Sequence, residues 1–423
     1  MVGTIALPIS PGRAPMDSTK YLLAGGGIAA NEALKQIKKL DPTGSVTLIS
    51  DEPVLPYDRP PLSKYFLRGE KPREKLFFLP ESFYAENGVT TILGKKAQSL
   101  DAARATVTLE DETTIRYEKL LIATGGRPVP LNVPGAHSKG VHYLRSLADA
   151  EAIAAEAKPG KRAVLVGAGF IGMELAASLV QMGLQVTVVE MLPHIWPRFA
   201  GEGLAQYVQR YCQERGITFL TSDSLAEITG QGHVTGVKTK AGKEIACDMV
   251  CVGIGLIPNL ELARSGGLKI ENGLVVDETM HTSHPNIYAA GDIASFPDPV
   301  FGRQRRVEHW GHAEYSGQVA GMNMAGKEMK YDLLSYVWSD IFDLHLEFAG
   351  DEHEHDQTLL RGDVAAGKFT ALYLKGGALT AYFSINTDAK EFPVYQRLIR
   401  RKKDLSASLD KLKDTTFNVR GLL

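Results

Sequence analysis

Two glycine-rich turns, each placed directly after a short apolar run, constrain the fold of this 423-residue chain more than any other feature. The first turn follows residues 21–24 and begins at Gly25, and the second follows residues 163–166 and begins at Gly167. A helical pattern and a second apolar run ending at an acidic residue come after each turn. This strand–turn–helix–strand order is typical of the βαβ unit that binds the pyrophosphate of a dinucleotide. The sequence therefore predicts an α/β chain with two dinucleotide sites.

The second turn has the complete Gly-x-Gly-x-x-Gly spacing. We expect Gly167 to permit the tight turn, Gly169 to let the backbone approach a pyrophosphate, and Gly172 to let the helix pack on the strand. Glu190 ends the next predicted strand, where its carboxylate can accept hydrogen bonds from both ribose hydroxyls. A 2′-phosphate at that point would meet like charge, so the segment favours NAD(H) over NADP(H).

The first turn departs from this spacing because Ala30 stands at the third glycine position. Alanine is small enough for the same packing of helix on strand. Asp51 ends the following apolar run and is the matching ribose acid. Taken alone, this turn is also compatible with a tight turn that holds no ligand.

Composition excludes several classes of protein. A formal net charge of -2 argues against a surface that coats nucleic acid or an acidic membrane. No stretch approaches the roughly 20 apolar residues that cross a bilayer. The three cysteines, Cys212, Cys247 and Cys251, form no C-x-x-C pair, which fits a reducing compartment and predicts a cytoplasmic protein without a redox disulfide. Residues 1–15 are expected to be a flexible extension and not a signal peptide.

Apolar periodicity gives a coarse map of the elements. Helices are predicted at 28–40, 147–157, 170–182 and 392–403, and the turn at 290–292 is expected to open a further helix. Strands are predicted at 20–24 and 46–50 around the first turn, and at 163–166 and 186–190 around the second. The segment 249–255 is expected to be a strand that returns to the first domain. Alternating residues at 344–348, 369–374 and 379–385 predict antiparallel strands in a separate α+β domain.

Three further motifs carry a resemblance to a known family. They are Leu-Pro-Tyr-Asp-Arg-Pro-Pro-Leu-Ser-Lys at 55–64, Ala-Thr-Gly-Gly-Arg-Pro at 123–128 and Ala-Gly-Asp at 290–292. With them, residues 20–385 resemble the FAD-dependent NADH:ferredoxin reductases of aromatic-ring dioxygenase and bacterial haem monooxygenase systems. The chain is also similar to apoptosis-inducing factor and to plant monodehydroascorbate reductase.

The resemblance implies a glutathione-reductase-like architecture of two Rossmann-like dinucleotide-binding domains and a C-terminal α+β domain. The FAD domain would comprise 16–128 and 256–325, the NAD domain 129–255, and the C-terminal domain 326–423.

The same resemblance implies the contacts to FAD. Ala97 would contact adenine through its backbone, Asp292 would bind the ribityl or phosphate region, and Trp310 and Trp338 would lie against the flavin or nicotinamide. Core packing is the alternative role for either tryptophan, and a plain helix cap is the alternative for Asp292. The predicted FAD side comprises Gly25, Gly27, Ile28, Ala29, Ala30, Asp51, Arg59, Lys64, Ala97, Thr124, Gly125, Arg145, Asp292, Glu308, His309, Trp310 and Trp338.

On the NAD side, Gly255 would let backbone approach the nicotinamide ribose, and Glu347 aligns with a carboxylate near the nicotinamide. Lys64 and Glu174 are the predicted catalytic residues, because similar flavoproteins place such a pair beside flavin N5. A lysine there can stabilise negative charge on the reduced flavin, although both could be ordinary surface residues. The predicted NAD side comprises Gly167, Gly169, Phe170, Ile171, Gly172, Glu174, Glu190, Gly255 and Glu347.

Two charged clusters have more than one interpretation. Residues 351–356 are rich in His, Asp and Glu, but they lack structural-zinc spacing, so an exposed polar loop and no metal is predicted. The basic run from Arg397 to Lys403 is typical of a solvated helix face, and it could also dock an acidic ferredoxin.

The expected activity is hydride transfer from NADH to FAD, followed by delivery of single electrons to a [2Fe–2S] ferredoxin or a small one-electron acceptor. The first alternative is a reductase of the monodehydroascorbate radical. The second is an interaction protein, similar to apoptosis-inducing factor, that holds a long-lived charge-transfer complex with NADH. The chain could act as a monomer or a homodimer.

Overall fold

The computed structural model describes residues 17–196, 201–351 and 355–423. The extension predicted at 1–15 lies outside these residues. No helix in the described ranges is long and apolar enough to cross a membrane. The helices are α1 (Ile28–Leu40), α2 (Glu81–Glu86), α3 (Leu147–Glu156), α4 (Phe170–Gln181), α5 (Glu202–Gln213), α6 (Glu261–Ser265), α7 (Trp310–Met324), α8 (Phe392–Arg401) and α9 (Leu409–Lys413).

The first sheet is built around parallel strands on either side of the first turn. Its strands are β1 (Asp17–Ala24), β2 (Val46–Ser50), β3 (Val89–Leu93), β4 (Ala97–Asp101), β5 (Thr106–Leu109), β6 (Thr114–Ile122) and β19 (Ile287–Ala289). They run in the order β3-β2-β1-β6-β5-β4, and β19 pairs with β6. Every residue of β2 is buried, as expected for a parallel strand covered on both faces. Because β19 comes from far along the chain, the sheet is completed by a returning segment.

Helix α7 packs unusually closely against α1, and two glycines make this possible. A Cβ on Gly317 would lie 2.3 Å from the carbonyl oxygen of Ala29, and one on Gly321 would lie 2.5 Å from that of Ala33. Neither glycine was singled out by the sequence. The contact positions α7, whose first residue is Trp310, against the first sheet's helix.

The second sheet surrounds the second turn. Its strands are β8 (Val141–Tyr143), β9 (Arg162–Val166), β10 (Gln185–Val189), β11 (Ile217–Leu220) and β15 (Met249–Val252), in the parallel order β11-β10-β9-β15-β8. The prediction that 249–255 returns to the first domain is wrong, because β15 pairs with β9 and β8. Four buried residues fit the centre of either parallel sheet, so their apolar pattern could not tell the two sheets apart.

Smaller sheets connect and flank these two. An antiparallel ribbon of β7 (Gly126–Pro128) and β16 (Leu256–Pro258) links the two units. The others comprise β12 (Leu225–Thr229), β13 (Gly236–Thr239) and β14 (Glu244–Ala246), and β17 (Ile270–Glu271), β18 (Gly273–Val275), β20 (Ala294–Pro297) and β21 (Gln304–Arg305). The helix predicted to open at 290–292 is wrong: the loop forms one 3-10 turn, Gly291–Ile293, and then enters β20.

The C-terminal unit is α+β and its strands are antiparallel, as predicted. Its strands are β22 (Tyr336–Ile341), β23 (Leu344–Gly350), β24 (Gln357–Asp363), β25 (Lys368–Lys375) and β26 (Ala378–Ile385), in the order β22-β23-β26-β25-β24. One face shares a core with α4 and Trp196, and the other packs on α8 and α9. The predicted α/β fold class is therefore confirmed, while the exact domain boundaries stay predictions.

Candidate active site

A cavity of about 1480 Å³ lies where both glycine-rich turns meet the C-terminal sheet. It exceeds the roughly 300–1,000 Å³ of a site for one drug-sized ligand, which is the size expected if two dinucleotides share it. Of all the residues predicted for the two cofactor sides, only Ala30 and Glu347 do not line it. Ala30 is instead fully buried in the hydrophobic core between α1 and the first sheet.

The two turns have the same construction. Gly25 has φ +137°, and a Cβ there would lie 2.1 Å from the carbonyl oxygen of Ala123. Gly167 has φ +97°, and its Cβ would lie 2.4 Å from the carbonyl oxygen of Gly253. In each turn, the protein itself requires a glycine at the first position.

The second glycine of each turn has a different surrounding. A Cβ on Gly27 or Gly169 would meet no described protein atom within 4 Å. These glycines are the N-caps of α1 and α4, and no described side chain caps either helix. Uncapped backbone N–H groups at a helix N-terminus bind anions. Both turns therefore fit a dinucleotide pyrophosphate.

The predicted ribose acids differ in environment. Asp51 is exposed at the cavity wall. Glu190 is buried, and its carboxylate accepts hydrogen bonds from the N–H of Ala168 at 2.7 Å and of Leu192 at 2.9 Å. These bonds hold a negative charge beneath the second turn.

Four large apolar side chains around the second turn are exposed to solvent, which is unusual for residues of this type. Exposed fractions are 47% for Ile171, 71% for Met191, 39% for Leu192 and 40% for Ile254, and all four line the cavity. Exposed apolar groups that cluster in a cavity mark a ligand surface. Of these four residues, only Ile171 was predicted from the sequence.

Two arginines bring positive charge to the first half of the cavity. Arg59 pairs with Glu52 at 2.6 Å and donates to the carbonyl oxygen of Arg145 at 2.5 Å. Arg145 in turn lies 3.4 Å from the carboxylate of Asp292. Burial lowers the pKa of Arg145, and Asp292 opposes that shift. These contacts join Arg59, Arg145 and Asp292, all predicted to lie on the FAD side, into one polar network.

Lys64 and Glu174 form a buried ion pair in the cavity wall. Nζ of Lys64 lies 3.0 Å from Oε1 of Glu174, and both side chains are 5% exposed. Glu174 also accepts hydrogen bonds from the hydroxyls of Ser63 at 2.5 Å and Ser339 at 2.7 Å. Neither serine was predicted to have a role, although Ser63 stands within the motif at 55–64.

Two tryptophans form an aromatic wall. The rings of Trp310 and Trp338 meet edge to face with centroids 5.5 Å apart, and Nε1 of Trp310 donates to Asp58 at 3.1 Å. His309 contacts the hydroxyl of Ser335 at 2.8 Å, and burial lowers its pKa to about 3, so the imidazole is neutral. A neutral wall of this kind suits a planar ring.

Glu347 lies beside this wall and does not line the cavity. It is the cross-strand partner of Trp338, and its carboxylate accepts a hydrogen bond from Tyr382 at 2.5 Å. Burial raises the pKa of Glu347. Its predicted contact with nicotinamide therefore has no support in the lining of the cavity.

The basic run is mainly a surface feature. Arg397, Arg401, Lys402 and Lys403 are exposed, while Arg400 pairs with Asp332 at 2.6 Å. In the acidic cluster at 351–356, residues 352–354 lie outside the described part of the chain. Among the described residues no group of His, Cys, Asp and Glu is arranged to hold a metal.

A buried histidine near the first site makes stability depend on pH. His312 stacks on Phe296 with centroids 4.5 Å apart, and burial lowers its pKa to about 3. Below about pH 6.5 this histidine binds a proton in the unfolded chain but not in the folded chain, so the free energy of unfolding falls as pH drops towards 3.

We expect His312 alone to lower the free energy of unfolding by about 2 kcal/mol between pH 6.5 and 5. Urea unfolding of His312→Asn should show a loss smaller by that amount, whereas His137→Asn, at an exposed histidine, should match the wild type. Equal losses in all three proteins would contradict the assignment.

Comparison with known proteins shows the family to which the chain belongs. Residues 19–317 match the pyridine nucleotide-disulphide oxidoreductase family, and residues 336–423 match the reductase C-terminal family. The chain is 36% identical over 405 residues to the probable ferredoxin reductase CtmF of Castellaniella defragrans, covering 95% of this chain and 98% of the relative. It therefore belongs to the ferredoxin reductases of the pyridine nucleotide-disulphide oxidoreductase family.

Solved structures agree with this assignment. The ferredoxin reductase for the CYP199A2 system from Rhodopseudomonas palustris matches with a TM-score of 0.90 and 33% identity, over 96% of this chain and 99% of that chain. Putidaredoxin reductase, solved in a covalent complex with putidaredoxin, matches with a TM-score of 0.91 and 29% identity, over 96% and 98%. The cofactors are FAD and NAD(H), as predicted, and the two turns of the cavity fit them.

Proposed function

We propose that the chain carries electrons from NADH through FAD to a [2Fe–2S] ferredoxin. The observation that carries this proposal is the buried Lys64–Glu174 pair in the wall of a cavity that two dinucleotide cradles share. The covalent complex with putidaredoxin supports a ferredoxin-type partner, because that reductase is similar to this chain along nearly its whole length.

Each half of the cavity has its own part in this function. The first turn, Arg59 and Arg145 would hold the FAD pyrophosphate, and the second turn with Glu190 would hold NADH. When bound, FAD would supply the hydride acceptor and would allow the two electrons to leave one at a time. Lys64 places a positive charge where negative charge develops. Glu174, fixed by Ser63 and Ser339, keeps that ammonium group in position. Holding the reactants in near contact contributes several kcal/mol.

The acceptor is external, because the cysteines cannot form a relay. Cys212, Cys247 and Cys251 are all buried and free, and burial raises the pKa of each thiol to about 12. None is a thiolate at neutral pH, so none can attack a disulfide. Buried, reduced cysteines also support a cytoplasmic location.

Three acceptors distinguish the proposal from its rivals. The holoprotein is reduced anaerobically with NADH and then mixed with a [2Fe–2S] ferredoxin, monodehydroascorbate radical or oxygen. Rapid reoxidation by the ferredoxin alone is the expected result. Preference for the radical would indicate the first alternative, and a persistent long-wavelength absorption band with slow turnover would indicate the interaction protein. A flavin that NADH does not bleach would overturn all three.

The buried charge of Glu190 predicts the choice between coenzymes. We expect Glu190→Gln to raise the use of NADPH relative to NADH about tenfold, a change of ~1.4 kcal/mol, because a 2′-phosphate would no longer meet a carboxylate. The measurement is the ratio of kcat/KM for the two coenzymes. Glu244→Gln, at an exposed glutamate, is the matched control. An unchanged ratio in Glu190→Gln would contradict the role.

A further inference from the structure

A second set of side chains leads from the buried ion pair to the surface. Lys64 lies 3.7 Å from the carboxylate of Asp340, whose other oxygen lies 2.7 Å from Nδ1 of His345. Exposure of the three side chains rises along this sequence, from 5% to 24% to 51%. The series Lys64, Asp340 and His345 therefore leads from the cavity wall to the solvent-exposed surface.

The reaction needs such a route. NADH gives up two electrons with one hydrogen nucleus, whereas a ferredoxin accepts electrons alone. The balance is one NADH and two oxidised acceptors giving NAD⁺, two reduced acceptors and one proton. Under the proposed function that proton is set free beside Lys64, whose side chain and that of Glu174 are each only 5% exposed.

We propose that Asp340 and His345 carry this proton from Lys64 to solvent. The inference rests on the proposed function. Lys64 passes a proton from Nζ to Asp340, Asp340 passes it to Nδ1 of His345, and the ring releases a proton to water. Nζ of Lys64 then takes up the one proton that the reaction liberates. N–H and O–H bonds break and form in turn, no electrons move between these residues, and each group returns to its starting state.

The surroundings favour this route over others. Apart from Lys64, the partners of Glu174 in the described part of the chain are Ser63 and Ser339, which are buried and offer no path to the surface. The charged and titratable groups that act on Asp340 and His345 are Lys64, Tyr65 and Glu347. The hydrogen bond to Asp340 raises the pKa of His345, which keeps the imidazole near the range in which it both accepts and releases a proton at neutral pH.

The strand pairing holds the two relay residues in place. Asp340 on β22 is the register partner of His345 on β23. The backbone N–H of His345 also donates to the side chain of Asn386 at 2.7 Å. The relay geometry therefore comes from the sheet and does not depend on a mobile loop.

The first test does not require turnover. The His345 imidazole is titrated by NMR in the flavin-loaded protein, and Asp340→Asn should lower its pKa. An unchanged titration curve would show that the two groups are not coupled and would overturn the relay.

The second test measures proton release directly. NADH-reduced holoprotein is mixed with ferricyanide, which accepts single electrons without protons, in weak buffer with a pH indicator. We expect His345→Gln to slow proton release about 100-fold, and added imidazole to restore it. His233→Gln is the matched control, since His233 is 50% exposed and also faces a carboxylate, that of Glu156. Wild-type release rates in His345→Gln, or slow release that imidazole does not restore, would overturn the relay.

The outcomes separate this inference from the proposed function. Bleaching of the flavin by NADH precedes proton release and should be equal in the wild type and His345→Gln. If the wild type is not bleached, the proposed function fails and the relay fails with it. If bleaching is normal and proton release does not depend on His345, only the relay fails.

Discussion

Gly25→Ala is expected to yield a colourless protein. The residue has φ +137°, and the new Cβ would lie 2.1 Å from the carbonyl oxygen of Ala123, so the first turn must open. The backbone conformation alone costs ~1–3 kcal/mol for a residue other than glycine. An opened turn no longer directs its N–H groups at the FAD pyrophosphate. Flavin content, from visible absorption per mole of purified protein, is the measurement.

Gly160→Ala provides the control for this result. Gly160 also has positive φ, +83°, but its Cβ would meet no described atom within 4 Å. This variant should lose some stability and remain yellow. A Gly25→Ala protein with full flavin content would show that the first turn does not hold the cofactor.

Lys64→Gln is expected to slow flavin bleaching by NADH about 10²–10³-fold. Removing one donor that stabilises developing charge has an effect of this size. The variant also leaves Glu174 buried without its cation, which costs about 3–5 kcal/mol of stability. Stopped-flow reduction under anaerobic conditions measures the rate, and urea unfolding measures the stability.

Two further variants separate the rate from the stability. Lys38→Gln removes another buried lysine, one that donates to the carbonyl oxygens of Pro42 and Gly44 outside the cavity. It should lower stability without slowing bleaching. The double variant Lys64→Gln/Glu174→Gln should recover stability but stay slow. Fast bleaching in that double variant would remove the pair from the mechanism.

Local features of the fold could be predicted from the sequence. Helix α1 and strand β2 have the predicted bounds, because a glycine turn and an apolar run fix their ends within a few residues. The pairing of β15 could not be predicted, since its pattern fits either sheet. The glycines of α7 are significant only because α1 lies against them, and no local signal shows this.

The same difference between local and long-range contacts decides which residues of the candidate site could be predicted. Glycines and acids at fixed offsets were found because their spacing is local. Ser339, which bonds Glu174 from 165 positions away, belongs to a contact that only the assembled C-terminal sheet creates. Asp340 and His345 face each other for the same reason. The role expected for Glu347 came from the resemblance, but its side chain accepts a hydrogen bond from Tyr382 and does not line the cavity.

The late position of β19 bears on how the chain folds during synthesis. The first sheet receives this strand only after the whole second unit has been made, because β19 comes at Ile287–Ala289. Domains generally fold as units as they emerge from the ribosome. All five strands of the second sheet lie between Val141 and Val252, before β19 in the chain. The second unit is therefore synthesised first and can fold before the first sheet has gained its last strand.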